Sequence, residues 1–207
     1  MMLVVGLPLQ DVQVPMMAPD EQEAASVART LVLRESLTNV NTFKSTRHLD
    51  GSVTKVPVST MEYYADCDND GNPYWLVVDV GSTYQNILQG SDLSMTIRVG
   101  DHPANDDVDP NYPGGIAASP AGSPRLNLFG RLTNVTFDNF LDQVKLEACF
   151  VKRHPDSKFW LPSNKLSPHA THWAKFVVDD VYFVGGFGGR AYIGEIHNDT
   201  YHNASPL

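Results

Sequence analysis

Tyr74-Trp75-Leu76-Val77-Val78-Asp79-Val80 decides the fold, because every position except Asp79 is apolar or aromatic. Seven residues are too few for a buried helix, and three valines beside two aromatics favour a strand covered on both faces. Further along, Leu93, Met95, Ile97 and Val99 alternate with Ser94, Thr96 and Arg98, the cleanest two-residue period in the chain. Before the central stretch the period is also two from about Asn39. Val53-Thr-Lys-Val-Pro-Val58 reads as a strand that Pro57 either breaks or confines to an edge. Arg125 to Thr133 places Leu126, Leu128 and Leu132 on one face, and residues 175–184 and 191–196 supply late strands. Strands dominate without β-α-β alternation, so the expected class is an antiparallel α+β barrel.

Two helices interrupt the strands. Pro19-Asp20-Glu21-Gln22-Glu23 places acids where a helix begins, and Ala24, Val27, Ala28, Leu31 and Glu35 follow at helical spacing. Asp138 opens the second, with Phe140, Val144, Ala148 and Val151 as its apolar stripe and Lys152-Arg153-His154-Pro155 as its stop. Asp101 to Pro124, rich in Pro, Gly, Asp and Asn, is a long loop, and loops of that length are usually functional or mobile. Residues 1–18 read as an extended arm, 19–202 as one domain and 203–207 as a tail.

The chain has 207 residues, which favours one domain, and with its fifteen glycines about half of it is apolar. That is enough to bury a core. A formal charge of −9 argues against nucleic acid and against anionic membrane surfaces, both of which need clustered Lys and Arg. No apolar run reaches the ~18 residues of a membrane span. The first basic residue is Arg29, so the start carries no basic leader pattern. Cys67 and Cys149 permit at most one bridge, and their spacing leaves open whether they pair.

Several motifs match by letter but not by mechanism. Gly186-Phe-Gly188-Gly-Arg-Ala191 has the spelling of a dinucleotide loop, yet Tyr192-Ile-Gly-Glu-Ile after it reads as a strand where a helix is required. A glycine-rich turn is expected there instead. Asp66-x-Asp68-x-Asp70-Gly71 begins like a calcium loop, but Val77 stands where the bidentate glutamate belongs. A hairpin turn joining Tyr63-Tyr64 to Tyr74-Trp75 is the plainer reading. His154, His169 and His172 lie close in sequence, but structural zinc usually needs four well-spaced ligands, so no metal is expected. Asn134-Val-Thr136, Asn198-Asp-Thr200 and Asn203-Ala-Ser205 are glycosylation sequons, of which Asn134 is the best acceptor.

Three segments together carry a family resemblance. Asn72-Pro-Tyr-Trp-Leu-Val-Val-Asp-Val-Gly-Ser-Thr-Tyr-Gln-Asn86 with Ser91-Asp-Leu-Ser-Met-Thr-Ile97 resembles the strand–loop–strand of the FMN-binding split barrels, the pyridoxamine 5′-phosphate oxidase-like proteins. Ser123-Pro-Arg-Leu-Asn-Leu-Phe-Gly-Arg-Leu132 is similar to their next core strand. Arg153 to Trp160, then His172 to Gly189 with its Gly-Gly-Phe-Gly, most resembles the CREG branch of secreted glycoproteins, and the glycine stretch also occurs in haem-utilisation relatives.

The resemblance implies a six-stranded antiparallel split β-barrel of Greek-key type with a few flanking helices, usually a homodimer with flavin in the crevice. Flavin-using members place a basic residue after the serine-rich turn to hold the FMN phosphate. Tyr84 and Gln85 stand there instead. A phosphate dianion without a cation loses its charge-assisted bonds.

The first expectation is therefore a non-catalytic CREG-like glycoprotein, secreted or vacuolar/lysosomal, that acts through a protein partner and has no cofactor in a vestigial crevice. A cytoplasmic location is the other possibility for the compartment. The alternative is an FMN-dependent oxidoreductase that uses Ser82, Thr83 and Asn86 with Lys55 as the cation and Trp173 as a stacking surface. Haem binding through His154, His169 or His172 is a weaker alternative.

Overall fold

The computed structural model describes residues 20–116 and 118–207, so the expected arm over residues 1–18 lies outside it. Helix α1 (Glu21–Arg34) starts where the acids put it. The Asp20 side chain accepts from the Glu23 N–H at 2.8 Å, Glu21 and Glu23 occupy the first turn, and Arg34 closes the last. Ala24, Val27, Ala28 and Leu31 are all buried against the sheet.

Strands β1 (Leu37–Arg47) and β2 (Val53–Ala65) form a long hairpin in which Phe43 faces Pro57. Only Tyr64 and Ala65 of β2 also pair with β3 (Tyr74–Val78), so Pro57 lies on an open edge, where its missing N–H costs nothing. Gly71 in the intervening turn has φ +80°, and a Cβ there would meet the Arg29 and Tyr201 side chains at 2.8 Å. After β3 come the short helix α2 (Ser82–Leu88), β4 (Ser94–Arg98) and β5 (Arg125–Asn134). Helix α3 (Phe140–Arg153), β6 (Thr171–Val184), β7 (Ile193–Ile196) and α4 (Asn198–Asn203) complete the chain.

All pairings are antiparallel, and the strands form one sheet in the order β3-β2-β1-β4-β5-β6-β7, with β3 also pairing along β6. This corrects the six-stranded barrel expected from the sequence. There are seven strands, and β7 pairs only with Val181–Val184 of β6, which leaves an edge free, so the sheet as a whole is not closed on itself. The α+β class and the few helices stand. A bulge at Phe129/Gly130 leaves Asp179 without a partner position, and a Cβ on Gly130 would lie 2.0 Å from the Val177 carbonyl oxygen. Leu126 and Leu128 are buried before the bulge, and Leu132 is half-buried after it.

Two apolar clusters flank β3. Trp75 and Val77 join the main core with Tyr64, Met95, Ile97, Phe176 and the α1 face, while Leu76 points into a second cluster with Leu146, Phe150 and Trp173. A strand buried on both faces is what Tyr74–Val80 led us to expect, although Val80 itself is exposed.

The second helix differs from expectation. Its stripe of Phe140, Val144 and Ala148 is exposed, and Leu146 and Phe150 are the residues it buries. Helical periodicity gives the residues that share a face but not which face meets the sheet; here the opposite face does, carrying Leu146, Phe150 and Cys149, which is bonded to Cys67.

Candidate functional site

The residues that the resemblance assigns to a cofactor do not gather in one place. The serine-rich turn is helix α2, whose alternate sides face different surroundings. Thr83 and Asn86 point inward: the Thr83 hydroxyl donates to Glu62 Oε1 at 2.7 Å and Asn86 Nδ2 donates to Thr42 Oγ1 at 3.0 Å. Burial holds the Glu62 carboxyl above its ordinary range, and the Thr83 hydrogen bond offsets part of that. Ser82 is exposed at the start of the helix. Lys55 is exposed on β2 opposite Ser45, three residues, or about 10 Å, along the strand from the residue that faces Thr42.

The outer side of α2, carrying Tyr84, Gln85 and Leu88, forms one wall of a cleft of about 380 Å³. Asp79 at the end of β3, Asn134 and Val135 at the end of β5, and His172 and Trp173 at the start of β6 make up the rest. The pairing of Val77 with His172 sets Asp79 and His172 side by side, 93 positions apart in sequence. His172 Nδ1 lies 2.6 Å from Asp79 Oδ1, and the Tyr84 ring meets the imidazole edge-on with centroids 4.9 Å apart. Gln85 Nε2 donates to the Asp79 carbonyl at 2.7 Å, tying α2 to the same strand end. His172 Nε2 is buried with no protein partner.

Chemically, this is a carboxylate-oriented imidazole in a cleft whose lining contains no Lys or Arg. Such a pair can accept or relay a proton, and it disfavours an anion. Trp173 reaches only the rim. Neighbouring strand residues point to opposite faces, and its ring packs edge-on against Phe150 in the second cluster.

The three histidines do not converge. His154 is buried, with Nε2 2.9 Å from the Tyr64 carbonyl oxygen and its ring stacked on Tyr63 at 4.2 Å. Burial lowers its pKa. His169 is exposed in the loop before β6. Among the described residues, no three His, Cys, Asp or Glu side chains are grouped to hold a metal.

In the aspartate-rich turn, Asp66 accepts from the Asp70 and Gly71 N–H groups. Lys175 Nζ sits 2.5 Å from Asp68 and 2.9 Å from Asp70. Its ammonium already pairs with two of the three carboxylates. The glycine cluster is a turn between β6 and β7, where a Cβ on Gly186 would lie 2.9 Å from the Gly122 carbonyl oxygen. Strand β7, not a helix, comes directly after it, so nothing there cradles a pyrophosphate.

The Asp79–His172 pair and helix α2 itself escaped the sequence reading. Histidine clustering was a signal for His172, but nothing local marks Asp79 as its partner.

All three sequon asparagines are exposed, and Asn198 Nδ2 donates to the Val178 and Asp179 carbonyls at 3.0 Å. No described helix is long and apolar enough to cross a membrane.

Comparison with known proteins agrees with this architecture. A haem-binding protein from Mycobacterium smegmatis shares the fold with a TM-score of 0.60 at 18% identity, over 92% of this chain and 63% of its own. A protein of unknown function from Agrobacterium tumefaciens does so with a TM-score of 0.52 at 18% identity, over 84% of this chain and 62% of its own. The chain thus spans less than two thirds of either relative. No curated protein matches it in sequence. The family described as "CREG, beta-barrel" matches residues 19–203, nearly the whole described chain, and the protein belongs to that family.

Proposed function

We propose that this chain is a non-catalytic binding protein of its family that acts through protein interaction, with the flavin-phosphate position closed by its own side chains. The observation that carries this is the pairing of Thr83 with Glu62, with Asn86 committed to Thr42 beside it. Two of the polar groups that the resemblance offers to a phosphate are already used, and one of them holds a carboxylate. FMN would bring a dianion toward Glu62 and Asp79 with no Lys or Arg in the cleft lining. Each charge-assisted bond it forgoes weakens binding by about 1.5–3 kcal/mol, ten- to a hundredfold.

Titration with FMN, followed by flavin fluorescence, tests the reading. We expect no saturable quenching at micromolar flavin. A yellow preparation or a micromolar midpoint would move the weight to the FMN-dependent oxidoreductase of the pyridoxamine 5′-phosphate oxidase-like class.

A ring cofactor remains a second reading because Asp79 orients His172 in an open cleft, the arrangement of a histidine ligand with a carboxylate behind it. The haem-binding protein of shared fold points the same way. A Soret shift on adding haemin, lost in His172→Ala, would support it.

Homodimerisation and a secretory, extracellular or vacuolar/lysosomal location belong to the same proposal. Asn134 and Asn203 could carry glycans there more readily than Asn198, whose side-chain amide is engaged by two backbone carbonyls. Light scattering measures the first, and intact mass from a eukaryotic host measures the glycans.

A further inference from the structure

Helix α3 is held to the protein through its second half, by two buried side chains and one covalent bond. It buries only Leu146 and Phe150, while Phe140, Leu141 and Val144 stand in solvent. The Cys67–Cys149 disulfide joins its second half to the β2–β3 turn, across 82 positions of sequence. Arg153 donates to the Arg34 carbonyl at the C-terminal end, so the half before Leu146 has no comparable tie.

The bridge is reachable. Both cysteines are part-exposed and line an open recess of about 470 Å³, with Tyr74, Phe137 and Lys145 around it. Exposed disulfides are the ones that thiolates attack, whereas structural bridges resist reduction. Val135 lines both this recess and the Asp79–His172 cleft, and its N–H donates to the Trp173 carbonyl at 2.9 Å. Whatever frees α3 therefore acts on a wall of the cleft.

We propose that Cys67–Cys149 is a redox latch whose reduction by a dithiol frees the first half of α3 and loosens the segment 135–139 that walls the cleft. A reductant thiolate attacks one bridge sulfur, forming a mixed disulfide and releasing the other cysteine as thiolate. The second reductant thiol then displaces the first cysteine. Two electrons pass to the protein, the reductant leaves as its own disulfide, and Cys67 and Cys149 end as thiols.

Amide hydrogen exchange on the full chain, with and without millimolar dithiothreitol, tests the latch. Reduction without denaturant should speed exchange over residues 135–146 by roughly tenfold or more beyond the change in α1, whose exchange follows the global stability alone. The double variant Cys67→Ser with Cys149→Ser should show the same pattern without reductant. A bridge that yields only in denaturant overturns the proposal. So does unchanged exchange over 135–146 in both reduced protein and double variant, or exchange that rises equally in α1.

Discussion

Helices α1 and α3 are each fourteen residues long, and each begins with a side-chain cap and an acid in its first turn and ends with basic residues in its last. By the local rules they are near twins. In their surroundings they are opposites. α1 sinks eight side chains into the protein, among them Arg29, whose guanidinium reaches the Asn69 carbonyl at 2.6 Å and the Ala204 carbonyl at 3.0 Å. α3 lies on the flank of the second cluster and buries two. Capping and periodicity decide that a helix forms, and the sheet decides how much of it is covered. Where little is covered, a covalent bond supplies the attachment.

The sharpest test of this contrast is truncation of matched apolar residues. Leu31→Ala removes a fully buried side chain from the main core and should cost about 2–5 kcal/mol in denaturant unfolding. Val144→Ala, on the stripe that looks equally apolar in sequence, should stay within about 0.5 kcal/mol. Comparable losses would mean that α3 is buried after all, against an interface this chain forms with something else.

Next in size is the bridge. Replacing both cysteines by serine releases a loop closed over 82 positions, for which the chain-entropy relation gives about 4.5 kcal/mol. Chemical denaturation of the double variant should show a loss of about 2–4 kcal/mol. A change below about 1 kcal/mol would mean that packing by Leu146 and Phe150 holds α3 without covalent help.

The same contrast separates what is legible in the sequence from what is not. The strand at Tyr74–Val78 and the Asp66–Gly71 turn could be read because each rests on a local pattern: an unbroken apolar run and a turn of Asp, Asn and Gly. Tyr64 does pair with Trp75 across that turn. The open edge at Pro57 followed from a missing donor. The facing of α3, the pairing of Cys67 with Cys149 and the meeting of Asp79 with His172 depend on partners 80 or more positions away, and no local period encodes those. Helix α2 was hidden for another reason. Ser82-Thr-Tyr-Gln-Asn86 has turn-like composition, and its N-terminus has no side-chain cap. The candidate site was therefore only partly legible: Tyr84, Gln85, His172 and Trp173 could be named, the last only at the rim of the cleft, but not Asp79 or the meeting of these residues.

Helix α2 offers the smallest effect and completes the comparison. With seven residues and no cap it has neither the burial of α1 nor the bridge of α3, and Thr83 anchors it to Glu62. That anchor works against a partly desolvated carboxylate, since burial raises the Glu62 pKa above its ordinary 4.5. A carboxyl with a raised folded-state pKa favours the folded protein most when protonated. Its contribution is therefore full below the ordinary carboxyl pKa and is lost as pH rises through the folded value. Glu62→Gln cannot ionise, and its amide oxygen still accepts from the Thr83 hydroxyl. The variant should be the more stable protein at pH 7, by less than about 1 kcal/mol, with the difference shrinking toward zero below about pH 4. Thermal unfolding of both proteins between pH 4 and pH 7 measures it. If wild type is instead the more stable at pH 7, ionised Glu62 anchors α2 more strongly than its burial opposes it.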